Sequence, residues 1–522
     1  MSGSDRAFAI IIGSGFAATI LARVLRQLKK RVVLIEKSSH PRFALGESTT
    51  PLGNLSLERL AARYRLQDLH ELATWGRWLD EQPHLRRGLK RGFTFFKHEA
   101  NEPYRNGAHN DSFLMVAASP DDRLADTHWM RSDVDHHLAK RAVAEGAKLL
   151  QETAVEQVEV FDDHVQVRIR GPKGVDFLQA RYVIDASGAE SVVAKSLDIR
   201  SRQDRLPIDT SLLFSHMDGV GHLRDVAPEA HLADLPYPEE RAAVHHLLDI
   251  GWLYVLRFDH GPASVGLVLR QDRLPIAAEQ LELRPERALR RLLSRYPSLD
   301  EAFRDATPVD GVVGYRRRLQ HRYGNAAGRR FFLLPSAYAF YDPMFSTGIA
   351  WNLLAVERLA SIFEGRYGDA SEYAMLISQE ADQLEKLIEA TYLAMDDFDL
   401  FVAITELYFA GVSFAEAQQR LVPKREGRPD AWDGFLGAND PVMSSLVVQA
   451  RDRLRRGGPQ AGQDLVRWLR QRLISRDIMG LDLAETPRLY PVDLDILQKR
   501  SDRLGLSPEE VFAALPRLRG ES

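Results

Sequence analysis

The sequence predicts an α/β protein with a mixed β-sheet region in its middle and a helical C-terminal lobe. Three observations carry that prediction. The stretch "AFAIIIGSGFAATILARVLRQLKKRVVLIEK" reads strand, glycine turn, helix, strand. Strand-like runs "TSLLFSHM", "GWLYVLRF" and "ASVGLVLR" fall between residues 207 and 310. From Ile349 onward the periodicity is almost wholly helical.

Taken in order, Ala7–Ile12 is short, apolar and β-branched, as a buried parallel strand should be. Leu21, Val24, Leu25 and Leu28 recur at helical spacing, and "RVVLIEK" is a second buried strand. "RSDVDHHLAKRAVAEG" predicts a helix from Arg131 to Gly146, capped at Ser132 or Asp133. Alternating strands follow at "AVEQVEVFDDHVQVRIRG", and "ARYVIDASG" is a strand running into a glycine turn. Proline and glycine cluster at 422–440 and 457–463, which predicts loops within the helical lobe. "PVDLDILQKRSDRLGLSPEEVFAAL" predicts two short amphipathic helices at the end.

Composition narrows the function. The absence of cysteine removes disulfides, zinc–thiolate sites, iron–sulfur clusters and thiol nucleophiles together. A net charge of −4 offers no global basic field for nucleic acid. The N-terminus lacks the pattern of a secretory leader, and no run of about 18 uncharged apolar residues reads as a membrane span, so a cytoplasmic protein is expected. Adjacent histidines in "VDHHLAKR" and "AVHHLLD" are both read as helical, where neighbours do not share a face, so no metal is expected.

"GSGFAA" places Gly13, Gly15 and Ala18 in the G-x-G-x-x-G/A pattern, with Phe16 and Ala17 completing the loop. The first glycine permits a tight turn, the second a close approach of backbone to pyrophosphate, and the third position close helix–strand packing. Glu36 ends the next strand, where an acid accepts hydrogen bonds from ribose hydroxyls. This is a Rossmann-type dinucleotide site that suits either FAD or NAD. "VIDASG", with Asp185 and Gly188, resembles the turn of flavin monooxygenases and related oxidoreductases and favours FAD.

Further segments resemble flavin-dependent halogenases. Gly46, Glu47, Ser48 and Pro51 in "PRFALGESTTP" follow that family's G-x-S-x-x-P pattern. "DPMFSTG" is similar to its DP-x-x-S-x-G loop, and "THWMRSDVDHHLAKRAVAEGA" to its segment around a conserved-type R-x-x-F-D. "GWLYVLRFDHGPASVGLVL" resembles the strand pair carrying a W-x-W-x-I-P signature. The resemblance implies a three-layer FAD-binding domain from 1–60, 120–200 and 310–360, a substrate-side sheet region from 61–119 and 201–309, and a helical lobe from 361–522. It implies reduced FAD from a separate reductase, and oxygen and chloride or bromide combining to hypohalous acid. A lysine at the end of a tunnel then directs the halogen to an electron-rich arene, free or tethered to a carrier protein.

Carried over position by position, the resemblance adds Ser48, Arg131, Ser336, Thr347, Gly348 and Ile349 to the cofactor site. Thr347 and Gly348 hold either the halide or only the flavin edge. Lys90 in "RRGLKRGFTFF", five residues before Phe95, is either the tunnel lysine or part of a solvated basic run with Arg86, Arg87 and Arg91. Phe93, Phe95, Trp252 and Phe345 are expected at the substrate pocket. Phe345 stands near where tryptophan halogenases place a glutamate, which disfavours free tryptophan.

The sequence also departs from the pattern. Tyr254, Leu256 and Arg257 replace the second Trp, the Ile and the Pro of W-x-W-x-I-P, and Arg257 is expected to alter the pocket wall. Pro335, Ser336 and Ala337 replace a GDA triplet, removing an aspartate that contacts flavin in the family. These departures keep open a monooxygenase without halide, or a flavin-binding accessory protein.

Overall fold

The computed structural model describes residues 6–230, 235–422, 428–457, 459–483 and 486–518. Two sheets organise the chain. The first runs Lys148–Leu150, Val32–Ile35, Ala7–Ile12, Gly174–Asp185, Val165–Gly171, Ala154–Val160, with Phe331–Leu333 paired to Gly174–Asp185. Its parallel register sets Ile12 beside both Ile35 and Asp185, and Asp185 beside Leu333. The loops after these strands therefore open at one carboxyl edge, the place where such sheets bind ligands. The helix Phe16–Gln27 packs against Arg131–Ala144 and Thr347–Phe363.

The second sheet runs Thr307–Pro308, Thr210–Asp218, Ala263–Arg270, Gly251–Arg257, Ala243–Leu248, Gly92–Lys97, Phe113–Ala117, Leu489–Tyr490. Alternation sends His245, Trp252 and Tyr254 to one face, while His246, Leu253 and Val255 sit on the other. Arg87–Lys90 pairs with Asp126–Trp129 in a separate short ribbon.

The helical lobe is built on Ala370–Ala394, Phe398–Leu421, Pro441–Arg456 and Pro459–Leu473. The first of these starts in a capping box: Asp369 accepts from the Ser371 and Glu372 amides while Glu372 reaches back to the Asp369 amide. Phe398–Leu421 alone among the described residues is long and apolar enough to cross a membrane, but 72% of its apolar window is buried inside the protein, so it is a core helix here.

Three expectations change. The helix beginning at Arg131 is preceded by Met130, not capped by Ser132 or Asp133. Arg131 enters the first turn because its guanidinium grips Asp135 one turn on, at 2.8 and 2.9 Å, and Asp133 pairs with Arg86 instead. The 457–463 cluster is not all loop, because Pro459 opens a helix, where its missing N–H and fixed φ are tolerated. Ala243–Leu248, carrying the His245-His246 pair, is a fully buried strand.

Candidate active site

A cavity of about 380 Å³ lies at the carboxyl edge of the first sheet. It is lined by Gly15, Phe16, Ala17 and Ala18, by Gly46, Glu47 and Ser48, by Arg131, by Ser187 and Gly188, and by Ser336 and Thr347–Ile349. Gly13 lies just behind, with φ +99°, and a Cβ there would stand 2.5 Å from the Ala186 oxygen, so only glycine closes this turn. The N-terminus of Phe16–Gln27 has no side-chain cap, which leaves its amides free for an anion.

Glu36 is buried at the strand end and accepts from the Ser14 amide and hydroxyl at 3.2 and 2.8 Å, with Arg42 at 3.2 Å. Burial raises its pKa, but Arg42 and Ser14 outweigh that and hold it below the usual carboxylate range. Asp185 is placed differently. Its carboxylate turns inward, accepting from Ser187 at 2.6 and 2.9 Å and from the Val193 amide at 2.7 Å. It shapes the Ser187–Gly188 turn and is not part of the cavity wall.

The cavity fits FAD on its own evidence. The Ser48 hydroxyl is buried without a hydrogen-bond partner, although it lines the space. A Cβ added at Gly188 or Gly348 would meet nothing within 4 Å, so both backbones border open volume. The Gly13–Ala18 loop would hold FAD at its pyrophosphate, Glu36 at its ribose, and the loops around Ser48 and Thr347 at its ring end; bound and reduced, FAD would supply electrons to oxygen. Glu36→Ala is expected to weaken FAD binding about tenfold to a hundredfold, the loss of charged hydrogen bonds, as read by flavin fluorescence titration.

The ring end is walled by the second sheet. Trp252, Tyr254 and Leu256 line the FAD cavity in alternation, together with His245. Arg257 does not reach it: its guanidinium pairs with Glu240 at 2.7 Å and with the Val220 and Gly221 carbonyls, so the expected change of the pocket wall does not occur. Trp252 donates to the Tyr392 hydroxyl at 3.1 Å, and Tyr392 donates to Asp342 at 2.6 Å. This chain ties the sheet to the Asp342-Pro343 loop. Burial pushes the Asp342 carboxyl up to about 7, with the Tyr392 hydrogen bond working against the rise. Burial also lowers His245 to about 3 and His321 to about 4, so both imidazoles on this wall are neutral at pH 7.

Ser346 takes a left-handed φ of 53° and its side chain caps none of the following amides. The helix Thr347–Phe363 thus presents its first N–H groups and its positive dipole end at the cavity. Ser336, standing where the family has aspartate, lines the cavity and donates to Asn352 at 3.2 Å.

A second cavity of about 220 Å³ lies beyond, between the second sheet and the helical lobe. Thr347 lines both. Phe93, Tyr408, Phe409 and Leu52 supply apolar wall, and Asn54, Asp126, Glu58, Arg77, Glu416 and Arg420 supply polar wall. Lys90 is fully buried beside it, its Nζ donating to the Thr49 carbonyl at 2.5 Å and lying 4.1 Å from the Phe93 ring centroid. It is not part of a solvated basic run. Burial lowers the Lys90 pKa, partly offset by Asp126, and burial raises that of Asp126.

Of the expected pocket aromatics, Phe93 lines this cavity. Phe95 lies behind it, against His245 and Phe401, and Trp252 belongs to the FAD side. Phe345 is buried and stacks on Tyr408 at 4.2 Å, so it is the Tyr408 ring that faces the space. Sequence reasoning missed Asp126, Asn54, Tyr408 and Phe409. The last two sit in an apolar helix where nothing separates a cavity wall from a core.

Comparison with known proteins agrees with this construction. The tryptophan halogenase family model matches residues 127–401, and an FAD binding domain model matches residues 6–233. The chain is 29% identical to monodechloroaminopyrrolnitrin halogenase PrnC of Pseudomonas fluorescens, over 79% of this chain and 72% of that one. It is 27% identical to tetracycline 7-halogenase of Kitasatospora aureofaciens, over 76% and 72%. Among solved structures, halogenase PltM in complex with phloroglucinol and FAD superposes with a TM-score of 0.80 at 24% identity, covering 93% of this chain and 100% of that one, and so shares the fold. With the family match extending over more than half of its length, this chain belongs to the tryptophan halogenase family of FAD-dependent halogenases.

Proposed function

We propose that this enzyme chlorinates or brominates a small, free, electron-rich arene in the second cavity, with halide held at the Thr347 and Gly348 amides and Lys90 directing the halogen. The observation that carries the reading is Thr347, which lines both cavities at the N-terminus of a helix. An oxidised halogen made on the FAD side passes this residue to reach the arene. Lys90, dry and oriented by the Thr49 carbonyl, meets the requirement that the reagent be delivered to one ring carbon and kept from water. Reduced FAD comes from a separate reductase in the cytoplasm.

A free substrate is favoured by the outer rim. The groove continuous with the second cavity carries Asp121, Asp493 and Asp495, which repel an acidic carrier protein. The test is mass spectrometry on phenols, anilines, pyrroles and indoles with FAD, reductase, NADH and bromide, against a bromide-free control. A bromine isotope doublet that appears only with bromide is expected. Oxygen insertion without bromine overturns the reading. Thr347→Tyr is expected to cut brominated product about tenfold or more by narrowing the shared wall; because Thr347 also lines the FAD cavity, a flavin fluorescence titration checks that FAD still binds.

A further inference from the structure

The polar wall of the second cavity holds two acceptors without donors. Asp126 is 1% exposed, and its Oδ1 accepts from Asn54 Nδ2 at 2.7 Å. Its Oδ2 has no hydrogen-bond partner, and neither does the Oδ1 of Asn54, itself 3% exposed. Both residues line the cavity. A buried acceptor left unpaired is costly, about 1–3 kcal/mol and more when charged, and two on one wall mark a place for a ligand that brings donors.

Asp126 is not simply the counter-ion of Lys90. The two residues are register partners in the ribbon, yet no direct ion pair joins them, and the ammonium donates to the Thr49 carbonyl instead. Lys90 keeps the carboxylate tolerable in a dry site while leaving Oδ2 unpaired. Glu416 and Arg420, on the facing helix, pair with each other at 2.6 Å and do not reach it with a hydrogen bond.

We propose that Asp126 is a catalytic residue that binds the ring O–H or N–H of the arene through Oδ2 and accepts its proton during halogen transfer, with Asn54 Oδ1 taking a second donor. The inference rests on the halogenase reading and adds the substrate class: arenes with one or two protic donors directly on the ring. As the ring carbon ortho or para to the donor attacks the halogen of hypohalous acid, the C–halogen bond forms and the halogen–oxygen bond breaks. The donor's proton passes to Asp126 and hydroxide leaves. Hydroxide recovers that proton from Asp126 as water. The neutral dienone or its imine then loses the ring proton to water, and the hydroxyl or amine is reprotonated, restoring the aromatic ring. The sum is arene plus hypohalous acid to halogenated arene plus water.

The experiment compares bromination of resorcinol, 3-methoxyphenol and 1,3-dimethoxybenzene, each kcat/KM divided by the rate of the same arene with free hypobromous acid. In the wild-type enzyme the normalised value is expected to fall about a hundredfold from resorcinol to the dimethyl ether, the scale of one general base. In Asp126→Asn it is expected to become nearly equal across the three, with FAD affinity unchanged as the control for folding. Wild-type enzyme that treats the ether and the phenol alike overturns the assignment without needing any variant, as does an Asp126→Asn profile that matches wild type. Failure of wild-type enzyme to brominate anything in the wider phenol, aniline, pyrrole and indole panel overturns the halogenase reading itself.

Discussion

Lys90→Ala is expected to lower halogenated product at least about a hundredfold, the scale of a positioned catalytic group, while oxidation of reduced FAD proceeds at a wild-type rate. The two readouts separate because Lys90 is not in the FAD cavity wall and packs on Phe93, which lines the second cavity. Lys90 contacts the Thr49 carbonyl and the Phe93 ring and lies in the field of Asp126; Phe93 and Asp126 line the second cavity. Loss of the ammonium leaves Asp126 buried without its cation, so the carboxyl takes up a proton rather than remain charged. Lys90→Met, which refills the volume, is expected to be as inactive as Lys90→Ala but more stable. Product retained within tenfold in both variants removes Lys90 from the mechanism. Loss of flavin oxidation in both shows instead that the residue supports the FAD side.

Arg358→Ala is expected to destabilise the enzyme by about 3–5 kcal/mol, the cost of stranding one member of a buried ion pair. Arg358 and Glu380 are both fully buried, with their side chains bidentate at 2.5 and 2.7 Å. Arg358 also donates to the Ala431 carbonyl at 2.6 Å, and Glu380 accepts from Trp351 Nε1 at 2.8 Å and from the Phe435 amide at 2.7 Å. The cluster joins the helix that begins at Thr347 to the helical lobe, and so holds the floor of the candidate halide site against the wall of the second cavity. Thermal unfolding with and without FAD checks the size of the effect. Arg358→Met with Glu380→Gln is expected to recover part of the loss, since the stranded charge is gone, while the single amide oxygen accepts from only one of the Trp351 and Phe435 donors, which bond different carboxylate oxygens. A single variant as stable as wild type shows that the pair contributes nothing net.

The departures from the family pattern resolve by geometry. Tyr254 and Leu256 take the same sheet face as Trp252, so the replaced signature still walls the FAD ring end. Gly266 lies under Tyr254, where a Cβ would overlap the phenol ring at 2.1 Å, so the larger side chain is accommodated by its neighbour's lack of one. Arg257 is turned to the opposite face by the strand's period of two and by Glu240. Ser336 keeps a polar contact at the cavity where the aspartate is missing.

The FAD side was legible in the sequence because its determinants are local. A positive-φ glycine, a helix N-terminus and an acid at the next strand end are separated by tens of residues at most, and backbone sterics force the same turn wherever they occur together. Lys90 could be singled out as a candidate only through resemblance, because its charge and its arginine neighbours read equally well as a solvated face. Tertiary structure decided the second cavity. Its wall draws on residues near 50, 93, 117–126, 347, 408–420 and 478–497, and Leu489–Tyr490 crosses from the helical lobe to extend the substrate-side sheet. Asp126 in "LADTHW" carries no local mark of the role proposed for it. Only the burial produced by packing those distant segments leaves its Oδ2 without a donor from the protein, and an acceptor's need for a donor is a property of that enclosure, not of the residues beside it in the chain.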